Sequence, residues 1–178
     1  HIMPGLAVAS EMRARGWSVS WLGTRGGMEN RLVPPAGIPL DTIGFRGLRG
    51  KGTFGLLKGG VQLLKGLAEA FGILRRRGAH VVLGMGGYVC VPGGVVARLL
   101  RRPLMLVNAD AALLLSNRSL LRWADRVAFG FDGPAARTVA QAVVTGNPVR
   151  GEIEALPLPA ARFAGRSGPL KLLVVGGS

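Results

Sequence analysis

Apolar positions along the chain follow two alternating periods. In PGLAVASEMRARG, Leu6, Val8, Ala9 and Met12 fall near helical spacing, and basic residues followed by Gly16 predict where that helix stops. WSVSWLG then alternates apolar and polar positions, as a strand ending at Gly23 does. MENRLVPPAG predicts a short helix ended by its paired prolines, PLDTIGF a strand, and TFGLLKGGVQLLKGLAEAFGILRRRG a long helix interrupted by glycines. AHVVLGM, PLMLV, DRVAFGF, QAVVTG and LKLLVVGGS are further short β-rich runs, with helices predicted in GGVVARLLRR and near SNRSLLRWA. Apolar strands alternating with helices imply an α/β chain: a Rossmann-like parallel sheet with helices on both faces.

Composition narrows this picture. With 178 residues, 48% of them hydrophobic, the chain can bury a sizeable core and suits one domain plus a piece of another. A single cysteine, Cys90, excludes a disulfide framework and fits a reducing compartment. The first residues show neither a basic n-region nor a long apolar h-region, so no signal peptide is expected and the chain reads as cytosolic. The uncharged run from Val81 to Ala97 approaches the length of a membrane span, but its glycines and Pro92 make a poor helix, and strand, loop and helix account for it better.

A formal charge of +14 calls for an anionic partner. Acidic side chains are absent from Thr42 to Ala68 and again from Ala70 to Ala109. A nucleic-acid binder would interleave its basic residues with exposed aromatics or carry a known motif; neither is present, so nucleic acid is not expected, and phosphorylated substrates and anionic lipid remain open.

The candidate chemistry centres on HVVLGMGGYVCVPGG, a strand that runs into glycines at 84, 86, 87, 93 and 94. In open parallel sheets ligands sit beyond the carboxyl ends of strands, and a glycine-rich turn into a helix lets backbone N–H groups approach a phosphate. Tight packing of strand on helix is an equal reading of the same glycines. His80 opens the strand and reads as structural. The chain begins directly on a helix and stops just after VVGGS, so both ends look cut: a first strand is expected before His1, and a second α/β unit is expected to open at Leu170 after the connector NPVRGEIEALPLP.

HIMPGLAVA, WLGT, MENRLVP, GLRGKG, VVLGMGGYVCVPGG, TGNPVR and LLVVGGS, in this order, resemble the MurG family of peptidoglycan glycosyltransferases over nearly the whole chain. The resemblance implies a GT-B fold of two Rossmann-like domains. It implies transfer of N-acetylglucosamine from UDP-N-acetylglucosamine to undecaprenyl-diphospho-muramoyl-pentapeptide, with inversion at the sugar carbon, at the cytoplasmic face of the bacterial inner membrane. No cofactor or metal is implied. Residues 1–148 would be the acceptor-side domain, 149–169 the interdomain connector, and 170–178 the first strand of the donor domain.

Site residues follow from that resemblance. His1 matches a histidine near the donor diphosphate, a candidate to deprotonate the acceptor hydroxyl, for which an imidazole is chemically suited. Gly84, Gly86, Gly87, Tyr88, Gly93 and Gly94 match a loop that receives the acceptor diphosphate. Asn117 matches an asparagine that hydrogen-bonds the donor sugar; a helix N-cap is its other reading. Arg150 and Ser178 match residues contacting the UDP portion, Arg150 being otherwise a solvated linker residue. Where the family writes His-Glu-x-Asn, this chain has Val107, Asn108, Ala109 and Asp110.

The membrane-bound acceptor gives the charge a possible target. Leu56, Leu57, Leu63, Leu64, Leu67, Phe71 and Leu74 can form an apolar helix face, flanked by Lys58, Lys65 and Arg75 to Arg77, that docks on an anionic membrane surface. Periodicity alone favours ordinary core packing for the same face. Another GT-B nucleotide-sugar transferase, and a non-enzymatic module binding anionic lipid or nucleic acid, stand as alternatives.

Overall fold

The computed structural model describes residues 1–45, 53–169 and 171–173, and only the backbone of 53–58. Helix α1 (Ile2–Ala14) leads to β1 (Trp21–Thr24), α2 (Glu29–Leu32), a 3₁₀ turn over Pro34–Ala36, and β2 (Leu40–Ile43). The long α3 (Thr53–Arg76) then leads to β3 (Val82–Gly84), α4 (Cys90–Leu99), β4 (Leu104–Asn108) and α5 (Leu115–Leu120). After a 3₁₀ turn come β5 (Arg126–Phe129), α6 (Pro134–Arg137), β6 (Ala142–Val144), α7 (Gly151–Glu154) and α8 (Pro159–Phe163).

Every strand pairing is parallel, as the alternating pattern predicts, and the strands are shorter than the runs that announce them. Among the described residues they form two sheets rather than one, β1-β2 and β3-β4-β5-β6. The registers Trp21↔Leu40, Val82↔Leu104, Met105↔Arg126 and Val127↔Ala142 align successive strands without crossing. Adjacent residues of a strand point to opposite faces, which shows how the helices cover the sheets. Trp21 packs with Ala9, Val33 and Ile38 on the α1 side, whereas Leu22 packs with Ala70, Leu74 and Val96 of α3 and α4. Val82 of β3 joins the same α3–α4 cluster as Leu22, so one pair of helices spans both sheets. On the opposite face α1 bridges them as well, since a β-carbon at Gly5 would come 2.5 Å from the Trp21 ring and 3.2 Å from Met85. The largest core joins Leu104, Leu106, Val127 and Phe129 to Ala97 and Leu120.

Three helices end alike. After α1, Trp17 N–H donates to Met12 O and Gly16 N–H to Arg13 O; after α3, Ala79 to Leu74 and Gly78 to Arg75; after α4, Arg102 to Ala97 and Arg101 to Arg98. This paired closure places one residue in the left-handed region. Glycine fills it twice, but after α4 it falls on Arg101, φ +53°.

One expectation is corrected. The helix predicted over GGVVARLLRR begins three residues earlier, at Cys90, so Gly93 and Gly94 lie inside it and not in the diphosphate loop. Of the expected strand LKLLVVGGS, Lys171 to Leu173 are described, without regular structure and exposed, and Leu170 and 174–178, Ser178 with them, lie outside the described residues.

Candidate functional site

The turn from β3 into α4 sorts its glycines into two groups. A β-carbon at Gly84 would meet Leu106 at 2.9 Å, one at Gly94 would meet Leu120 at 2.7 Å, and one at Gly93 would meet Leu22 at 3.3 Å. These three permit close packing of strand and helix. Gly86 and Gly87 instead shape the backbone, with consecutive φ values of +96° and +81° that side chains rarely adopt. This double left-handed step leaves the amides of Gly87, Tyr88 and Val89 without an acceptor among the described residues, while the Gly86 N–H faces Cys90 Sγ; the next paired amides are Cys90, onto Gly87 O, and Val91, onto Tyr88 O. Three successive N–H groups with no acceptor among the described residues, ahead of a ten-residue helix, make a concentration of partial positive charge suited to an oxyanion. The Cys90 thiol donates to Gly86 O at 2.9 Å from beneath, and burial pushes that thiol up to about 11.

His1 meets this loop. A β-carbon at Gly86 would come 3.0 Å from His1 Nδ1 and 2.8 Å from Leu114 Cδ1, so the imidazole and a leucine lie directly over a glycine that has no side chain to displace them. Sequence reasoning missed Leu114, whose apolar run carries no mark of a role beside the loop. Tyr88 is half-exposed and meets Phe45 edge to face at 6.2 Å.

Asn117 sits elsewhere than expected. It is fully buried in α5, where Nδ2 donates to Val107 O at 3.0 Å and to Asn108 Oδ1 at 3.2 Å; its own Oδ1 has no partner among the described residues. Nor is it a helix cap, because α5 starts two residues earlier with Leu114 at the cap position. Asn108, in the segment that departs from the family pattern, is equally buried: its amide donates to Asp110 O and Ala112 O and accepts from Leu114 N–H. The two asparagines brace the loop from β4 to α5 and so hold Leu114 over Gly86. Arg150 is exposed at the start of α7 and makes no ion pair among the described residues.

The predicted docking face of α3 divides. Leu67, Phe71 and Leu74 pack against Ala70 and Val96 in the core, while Val61 and Leu64 are 65% and 68% exposed beside an exposed Lys65. The side chains of Leu56, Leu57 and Lys58 lie outside the described residues. No helix among the described residues is long and apolar enough to cross a membrane.

Residues 1–129 match the glycosyltransferase family 28 N-terminal domain. A protein of Methylibium petroleiphilum named UDP-N-acetylglucosamine–N-acetylmuramyl-(pentapeptide) pyrophosphoryl-undecaprenol N-acetylglucosamine transferase is 68% identical, over all of this chain and 49% of the relative. The identically named protein of Chromobacterium violaceum is 64% identical with the same coverage. The chain thus spans about half the length of the curated relatives it matches. Among solved structures it superposes on Acinetobacter baumannii MurG with a TM-score of 0.70 and 34% identity, covering 84% of this chain and 42% of that one. A UDP-GlcNAc 2-epimerase of Methanocaldococcus jannaschii shares the fold at a TM-score of 0.55 and 17% identity, covering 82% of this chain and 42% of the epimerase. The chain belongs to glycosyltransferase family 28, and residues 1–129 are the N-terminal domain of that family.

Proposed function

We propose that this chain is the acceptor-side half of an inverting glycosyltransferase that moves N-acetylglucosamine from UDP-N-acetylglucosamine onto undecaprenyl-diphospho-muramoyl-pentapeptide. The observation that carries the reading is the placement of His1 against Gly86, beside three amides with no acceptor among the described residues. Those amides and the N-terminus of α4 receive the acceptor diphosphate, which brings the muramoyl hydroxyl to the imidazole. His1 takes the proton as the hydroxyl oxygen bonds to the sugar C1, and the bond from C1 to the diphosphate breaks to release UDP. The similarity to proteins named for this transfer supports the same reading.

Residues 1–148 form the acceptor domain in this proposal, 149–169 the connector, and 170–178 the opening of the donor domain, with Arg150 and Ser178 facing the UDP portion. Asn117 acts at one remove, through the loop it braces. Val61, Leu64 and Lys65 rest on the anionic cytoplasmic face of the inner membrane, where the acceptor lies.

The test is transfer of labelled N-acetylglucosamine to a lipid-diphospho-muramoyl-pentapeptide acceptor by the longer protein containing these residues. Turnover that falls at least a hundredfold with His1→Ala is expected, and these 178 residues alone should transfer none, because donor and acceptor must be held together. Full turnover in the His1→Ala protein removes the imidazole from the mechanism.

A further inference from the structure

Next to the glycine loop, on the side of the two-stranded sheet, lies a cleft of about 460 Å³ walled by Thr24, Arg25, Ile43, Gly44, Phe45 and Tyr88. It opens at the carboxyl ends of β1 and β2, where parallel sheets place their ligands. The Thr24 hydroxyl and amide are both taken up by Glu29 Oε1, at 2.9 and 2.5 Å. Among the described residues Arg25 is the one charged side chain on the cleft wall, which the Phe45 and Tyr88 rings also line.

Among the described residues Arg25 is held in place by a single acid. Its Nη2 donates to Glu69 Oε1 at 2.9 Å, while Glu69 Oε2 accepts the Gly44 N–H at 2.6 Å, so one α3 carboxylate ties down the tips of both strands. Glu69 is the only acidic residue between Thr42 and Ala109. The contact engages one of the five N–H donors of the guanidinium, and the Arg25 side chain is 63% exposed. A guanidinium fixed at one corner, with no further acceptor among the described residues, is ordered for a second oxyanion before that oxyanion arrives, which lowers the entropic cost of binding it.

We propose that this cleft is an acceptor subsite in which Arg25 binds an oxyanion, either a carboxylate of the acceptor peptide or an oxygen of its diphosphate, and Glu69 is the positioning residue. The proposal rests on the acceptor chemistry proposed above. The cleft shares Tyr88 with the glycine loop, so a group bound at Arg25 belongs to the same acceptor molecule as a diphosphate at the free amides.

The experiment compares the longer enzyme with its Arg25→Met, Arg25→Lys and Glu69→Gln variants on two acceptors, one carrying the pentapeptide and one with the same lipid diphosphate and sugar but no peptide. Arg25→Met should raise the acceptor KM about tenfold while leaving kcat and the KM for UDP-N-acetylglucosamine within about twofold. Arg25→Lys should recover only part of the loss, because an ammonium offers a point charge and not a fork. Glu69→Gln, which keeps an acceptor for Gly44 but loses the ion pair, should raise the same KM by a smaller factor. A rise confined to the peptide-bearing acceptor assigns the oxyanion to the peptide, and an equal rise on both assigns it to the diphosphate. An unchanged acceptor KM in a folded, active Arg25→Met enzyme overturns the subsite alone. A wild-type enzyme inert toward both acceptors overturns the subsite together with the proposed function.

Discussion

Alanine at Gly86 and at Gly87 should have unequal effects, although the two residues are neighbours with similar dihedrals. At Gly87 a methyl group meets nothing within 4 Å, so the cost is the left-handed backbone alone, about 1–2 kcal/mol. At Gly86 the same backbone cost applies, and the methyl would also stand 2.8 Å from Leu114 and 3.0 Å from the His1 ring. Neither neighbour can yield freely, since Leu114 is tethered through its amide to Asn108 and His1 caps α1. Overpacking of this kind adds roughly 1–3 kcal/mol, for a total of about 2–5 kcal/mol. An ångström of displacement at a catalytic group can cost about a hundredfold in rate, so kcat should fall about 10- to 100-fold in Gly86→Ala and less than about threefold in Gly87→Ala. Urea unfolding of the longer enzyme, read alongside steady-state kinetics, measures both quantities. Equal destabilisation by the two substitutions, with kcat unchanged in Gly86→Ala, would refute the contact between His1 and the loop.

Four further outcomes follow from other parts of the molecule. Arg101→Gly removes a side chain from a left-handed position and should stabilise the protein by about 0.5–1 kcal/mol, visible as a raised Tm; a lowered Tm would count against the closure of α4. Burial pulls the Asp41 carboxyl up, but the hydrogen bonds and charges of Arg77 and Arg76 outweigh it and hold the group below its ordinary value. Its pairing therefore adds stability above the unfolded value of about 3.9 and loses it as the pH falls through the lower folded value, so Asp41→Asn should flatten that acid limb of the stability curve; an identical limb in the variant refutes the pairing. Because its pKa is raised to about 11, only about one Cys90 in a thousand should be thiolate at pH 8, and a thiol reagent should label it rapidly only after unfolding; fast labelling of the native protein contradicts its burial beneath Gly86. The longer enzyme should bind vesicles rich in phosphatidylglycerol more than neutral ones, with salt weakening the difference and Leu64→Glu with Lys65→Glu abolishing it; equal partitioning would place this part of α3 away from the membrane.

Local order was legible in the chain because its signals are local. The parallel α/β class, the strand that runs into Gly84, the long α3 and the glycine closures at Gly16 and Gly78 each depend on spacing and dihedral preference within a few residues. The same grammar left Gly93 and Gly94 shared between a helix and a loop, because a glycine inside a helix differs from one in a loop only by what packs against it, here Leu22, Leu104 and Leu120 from distant segments. It also left α3 undivided. Leu64 and Leu67 are alike in sequence, and only the arrival of Val96 and Leu22 decides which one is core.

The site divides along the same line. That residues 84–89 form a turn able to receive an anion could be read from glycine chemistry, and the family could be read from motifs in order along the chain. Where His1 rests could not, since it lies 85 positions from Gly86 and only the packing of α1 against Trp21 and Met85 brings the imidazole over the loop. The reassignment of Asn117 has the same cause: burial is a property of the assembled core, and an amide chemically able to face a sugar or cap a helix instead joins Asn108 in holding a loop. Arg25 and Glu69, 44 positions apart, carry no common motif and meet only because α3 lies across the tips of β1 and β2. Dihedral preference and periodicity act over a few residues and are written into the chain, whereas contact between remote side chains exists only once the helices have packed onto the sheets.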